Sequence, residues 1–116
     1  MGVSTSKPPK GKRECKVNDI KSIDETPVGG MVSLCIINLF NVSIDLWLVK
    51  SSLEEVNILT IPPTDYVVYD TPNQQGYLLK HTDGKCFTGF RVNTSDPKSF
   101  GTALLDGILY IVAGPE

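Results

Sequence analysis

A chain of 116 residues, 41% of them apolar and 21% charged, is long enough to bury one core without metal or several disulfides, and too apolar to stay disordered. Its net charge of −2 excludes a global pull toward nucleic acid or an anionic membrane. No apolar run approaches the roughly 18 residues of a membrane span, and no hydrophobic signal region follows Met1.

The charge is concentrated at the start. Lys7, Lys10, Lys12, Arg13 and Lys16 stand against a single acid, Glu14. Residues 1–15 therefore read as a flexible basic tail, because a segment this polar cannot bury enough surface to offset its ordering entropy. Residues 16–116 read as one domain. The tail opens Met1-Gly2-Val3-Ser4-Thr5-Ser6, which fits the N-myristoylation pattern with Gly2 as acceptor. One acyl chain holds a membrane weakly, and the following lysines would supply the second signal.

Lys16 to Ile23 reads as an irregular edge strand, and Pro27 to Gly30 as a turn. The densest apolar run follows, from Val32 to Ile61, with β-branched and aromatic residues at a period near two and both faces partly apolar. It divides into strands at about 32–40, 44–50 and 56–61, closed by Pro62-Pro63, which offer no N–H to a ladder. Asp65 to Asp70 is a further strand, with Val67 and Tyr69 facing one way and Tyr66 and Val68 the other. Thr71 to Gln75 is a turn, Gly76 to His81 a strand, and Asp83-Gly84 a hairpin signal before Cys86 to Val92. A polar loop from Asn93 to Gly101 precedes Leu104 and Leu105, the turn Asp106-Gly107 and a last strand, Ile108 to Ala113. Strands at about 8–12-residue spacing without a long helical period indicate an all-β fold, a seven- to eight-stranded β-sandwich.

Three cysteines, Cys15, Cys35 and Cys86, do not make a closed disulfide framework. The favoured reading is reduced thiols in an intracellular, cytoplasmic protein, with membrane association through the tail left open and a Cys35–Cys86 bridge as the alternative. The sequons Asn41-Val42-Ser43 and Asn93-Thr94-Ser95 carry meaning only in a secreted chain.

No catalytic set stands out, and no cofactor is expected. His81 is the only histidine, and Asp83, two residues on, reads as turn chemistry rather than as its carboxylate partner. Scattered cysteines and one histidine give no metal-ligand spacing. The basic residues are not interleaved with aromatics, so nucleic-acid binding is not expected. Trp47 reads as core or as a binding platform. With Tyr66, Tyr69 and Tyr77 it would make an aromatic face for a protein or extended peptide, and sheet edges offer a second route.

An ordered set of landmarks runs through the domain: Ile20-Lys21-Ser22-Ile23, Ser33 to Asn38, Leu46-Trp47-Leu48, Thr60-Ile61-Pro62-Pro63, Gly76-Tyr77-Leu78, Asp83, Gly89, Val92-Asn93 and Asp106-Gly107. In this order the chain, over about residues 17–115, resembles the β domain of the von Hippel–Lindau tumour suppressor. The resemblance implies a sandwich that captures an extended peptide bearing a hydroxylated proline, followed in the family by a helical domain that docks a ubiquitin-ligase adaptor. With its last residue at Glu116, this chain is expected to lack that ligase arm. Trp47 matches the family's strand tryptophan. The pocket's tyrosine position falls on Ile58, its serine region near Asp70 and Thr71, its histidine on Tyr77 and its second tryptophan on Leu79. A pocket that selects a hydroxyl needs buried polar partners for it, so the hydroxyproline activity is not carried over. The expectation is a non-enzymatic protein-binding module. The alternative is a membrane-tethered or scaffold component held through its acylated or basic tail, and a small hydrolase using His81 is the third reading.

Overall fold

The computed structural model describes residues 15–23 and 30–115. Eight strands are found among them: β1 (Met31–Asn38), β2 (Ile44–Val49), β3 (Glu55–Ile61), β4 (Tyr66–Pro72), β5 (Gly76–His81), β6 (Cys86–Arg91), β7 (Ala103–Leu105) and β8 (Ile108–Ala113). They form two four-stranded sheets, in the orders β4-β1-β8-β7 and β3-β2-β5-β6. All neighbours run antiparallel except β1 and β8, which pair in parallel. The fold is an all-β sandwich.

Alternation builds the core. Leu34 and Ile36 of β1 and Leu109 and Ile111 of β8 point inward from the first sheet. Ile44 and Leu46 of β2, Tyr77 and Leu79 of β5 and Phe90 of β6 meet them from the second. On β3 the register shifts opposite Leu46/Trp47, and Ile58 is the residue passed over. This bulge lets the consecutive residues Ile58 and Leu59 both pack against the core. Asp106 and Gly107 both take positive φ, 51° and 79°, the geometry a two-residue hairpin needs between β7 and β8.

Where the β1–β2 connection meets the end of β3, Asn38 replaces ladder bonds. Its buried Nδ2 donates to the carbonyls of Val42 (2.9 Å), Ile61 (3.2 Å) and Pro62 (3.0 Å), and its Oδ1 accepts the Phe40 N–H (2.9 Å). A side-chain amide has the donors that Pro62-Pro63 lack.

The segment read as an edge strand, Lys16 to Ile23, is not one. Val17–Ile20 forms a single helical turn, α1, because Val17 and Ile20 are three apart and point to the same side. The segment lies over the outer face of the second sheet. Ile20 is buried there against Leu78 and Val49. Ser22 Oγ donates to the Val49 carbonyl (2.7 Å) and accepts the Gly76 N–H (2.9 Å). Gly76 permits this approach: a Cβ there would sit 1.7 Å from the Ile20 carbonyl oxygen.

The cysteines depart from both expectations for them. Cys15 and Cys86 form a disulfide, with Cα atoms 6.3 Å apart, and Cys35 is free and buried. A Cys35–Cys86 bridge does not form, since Cys35 faces the outer side of the first sheet and Cys86 packs on the outer side of the second. Cys15, placed in the tail on sequence, is thus fastened to the domain. Such bonds persist in oxidising compartments, so the thiol argument for an intracellular location no longer holds. Among the described residues, no helix is long and apolar enough to cross a membrane. Residues 1–14, including Gly2, and most of the Pro27–Gly30 turn lie outside the described residues.

Candidate functional site

The two sheets differ on their outer sides. The second carries the 15–23 segment, while among the described residues nothing covers the first. β-strand parity turns Tyr66, Val68 and Asp70 of β4 outward, with Ser33, Cys35 and Ile37 of β1 and Ile108, Tyr110 and Val112 of β8. The register aligns them in rows across the sheet: Tyr66 beside Ile37 and Val112, Val68 beside Cys35 and Tyr110, and Asp70 beside Ser33 and Ile108. Leu105 of β7 extends the last row. Cys35, Ile37, Tyr66, Val68, Ile108 and Tyr110 line a shallow hollow of about 450 Å³. Burial pushes the Cys35 thiol up, which keeps it protonated and unreactive. Asp70 is the one charged group in these rows, and its Oδ1 accepts a hydrogen bond from Ser33 Oγ (3.1 Å). At the margin, β4 pairs only with β1 among the described strands, leaving one side of its backbone open.

The four aromatic residues expected to share a face do not meet on one. Tyr66 is 60% exposed on the outer face of the first sheet. Trp47 lies half-buried on the opposite outer face, packed against the cluster of Ile20, Val49 and Leu78, with Lys80 Nζ 4.5 Å from its ring centroid. Its indole nitrogen is buried without a hydrogen-bond partner among the described residues. Tyr77 is 2% exposed, inside the sandwich, stacked on Phe90 at 5.8 Å. Tyr69 is half-buried and meets Tyr77 edge-on at 6.2 Å. Only Tyr66 offers most of its ring to a partner. His81 packs its ring edge-on against Phe40 at 4.8 Å, and Asp83 Oδ1 accepts the Lys85 N–H (2.9 Å), the turn role expected of it. Among the described residues, no group of three His, Cys, Asp or Glu side chains is gathered for a metal.

No protein-family model matches the chain, and no curated protein matches it.

Two of the positions aligned above with the hydroxyproline pocket, Thr71 and Tyr77, are engaged with each other. Thr71 Oγ1 and Tyr77 Oη lie 2.6 Å apart in the core, and Thr71 is fully buried. The Tyr77 hydroxyl is pushed up to about 12 from its ordinary 10, chiefly by burial, with the Thr71 hydrogen bond lowering it and interactions with Tyr69 adding a smaller rise. The folded state therefore favours the neutral phenol. This contribution to stability is fully present below pH 10 and is lost as pH rises through about 12. Tyr77→Phe is expected to flatten that alkaline loss, measured as urea midpoints between pH 9 and pH 12; an unchanged alkaline slope would contradict the assignment.

The outward residues of β1 and β8 were missed on sequence, although their signal is there. Ile36-Ile37 and Ile108 through Val112 are apolar at both parities. In a two-layer sandwich only one parity reaches the core, so the other leaves an apolar outer face.

Proposed function

We propose that this chain is a non-enzymatic protein-binding module, similar to the von Hippel–Lindau β domain, that takes an extended peptide along the open edge of β4. The observation that carries this reading is an apolar outer face running to a strand that, among the described residues, is paired on one side only, with Tyr66 and Val68 exposed at that margin. A peptide added as a further strand gains main-chain hydrogen bonds from β4, and its alternate side chains come to lie beside Tyr66 and Val68. Selectivity for a hydroxylated proline is not part of the proposal, because the Thr71 and Tyr77 hydroxyls pair with each other inside the core.

Peptides selected from a displayed library against the full chain test this reading. Their affinity is expected to fall at least about tenfold in Tyr66→Ala, the scale of an exposed aromatic anchor. It should stay unchanged in Thr60→Ala, on β3 of the other sheet. Amide exchange should slow along β4 when peptide is bound. Selected peptides that bind Tyr66→Ala as tightly as wild type, or that protect β3 instead, would remove the proposal.

A further inference from the structure

We infer that residues 15–23 form a redox-operated strap: thiol reduction of the Cys15–Cys86 bond releases the segment from the second sheet and leaves the sandwich folded. This is independent of peptide capture at the β4 edge, which belongs to the first sheet.

The strap is a unit apart from the core. The main cluster between the sheets contains none of its residues, and Ile20 belongs to a separate cluster with Val49 and Leu78. Release therefore takes no strand from either sheet and no side chain from between them. Elements with few buried contacts open at a lower free energy than core strands do.

Its two ends are held differently. At its close, the Ser22 N–H donates to the Val49 carbonyl (2.9 Å), the Ile23 N–H to the Gln74 carbonyl (3.0 Å) and Arg91 Nε to the Lys21 carbonyl (3.0 Å), beside the bonds of the Ser22 hydroxyl. At its start stands the bond to Cys86. Between Cys15 and Ser22, Ile20 is the one buried side chain. Every residue of the strap loses backbone freedom on docking, and one aliphatic side chain with a few hydrogen bonds does not offset that loss unless the chain is already confined. The cross-link supplies the confinement.

The bond is open to thiols. Cys15 and Cys86 are both partly exposed, and Cys86 follows the exposed Asp83-Gly84 turn. Exposed disulfides are the more readily reduced ones. One thiolate of a small dithiol attacks one sulfur, forms a mixed disulfide and expels the other cysteine, which takes up a proton. The reagent's second thiol then closes on its first and frees the remaining cysteine. Two electrons and two protons pass to the protein, and the reagent leaves as its cyclic disulfide. Cys35 does not intervene, because it lies on the outer side of the other sheet. Cys15 and Cys86 thus have only each other as partners for re-oxidation. The released form shows water the Val49, Leu78 and Trp47 side chains, which the oxidised form keeps packed against Ile20.

Amide exchange of the full chain, oxidised and in excess dithiothreitol, tests the inference. On reduction, protection at the Ser22 and Ile23 amides is expected to fall at least about a hundredfold, while amides of β1 and β8 stay protected by at least about a thousandfold over an unfolded chain. The emission of Trp47, the only tryptophan, should shift to the red. Exchange of the reductant for oxidised glutathione should restore both signals. Cys15→Ser should match the reduced protein and ignore reductant. Ser22 and Ile23 amides that stay protected on reduction overturn the inference, because the bond then adds nothing to docking. So does loss of β1 and β8 protection together with theirs, since the bond would then hold the whole fold rather than the strap.

Discussion

Gly76→Ala is expected to detach the 15–23 segment from the second sheet and to lower stability by about 3–5 kcal/mol. The added Cβ would lie 1.7 Å from the Ile20 carbonyl oxygen, 2.7 Å from its carbon and 2.9 Å from the Lys21 carbonyl carbon. All three are backbone atoms, so no side-chain rotation relieves the clash. Only movement of one backbone away from the other does. The cost is then bounded by what docking of the segment contributes. Burial of Ile20 accounts for roughly 1.5–3 kcal/mol. The two hydrogen bonds of the Ser22 hydroxyl, to the Val49 carbonyl and from the Gly76 N–H, add about 1 kcal/mol each. Urea unfolding checks the size of the effect, and amide exchange at Ser22 and Gly76 checks its site. A midpoint equal to wild type would show that the segment is not held as described.

Cys15→Ser should be comparably damaging by a different route. The Cys15–Cys86 bond closes a loop of sequence separation 71, and cross-linking a loop of that length restricts the unfolded chain by about 4 kcal/mol. Reductant should lower the wild-type melting temperature to that of the variant and leave the variant itself unmoved. Equal melting of wild type with and without reductant would refute this. The two substitutions act on one segment, since Cys15 anchors its start and Gly76 seats its end. Their combined effect should fall short of the sum.

Much of the strand pattern was legible because punctuation and periodicity agreed. β5 and β8 begin and end where sequence put them, with Gly76 and the Asp106-Gly107 turn as markers. β4 turns Tyr66 and Val68 outward as its alternation demands. Periodicity, however, states which residues of a strand share a side. It does not state which sheet the strand joins or which side is covered. That is why Trp47, Tyr66 and Tyr77, each sensible as an aromatic anchor, ended on two opposite outer faces and in the interior. Pairing among three cysteines is likewise not determined by spacing. Lys16 to Ile23 was misread because a single helical turn is shorter than the window over which period can be recognised.

The parallel pairing of β1 with β8 has a consequence for biosynthesis. The first strand of the sheet borrows its central neighbour from the far end of the chain, from Ile108 onward. While the ribosome is still threading out residues before that point, β1 has β4 on one flank and a vacant ladder on the other. The sandwich can close only after Ile108 to Ala113 has emerged, and contacts so distant in sequence make closure slow. A nascent chain stalled short of Ile108 would present a bare apolar strand to the cytosol or lumen around it, an attractive client for chaperones.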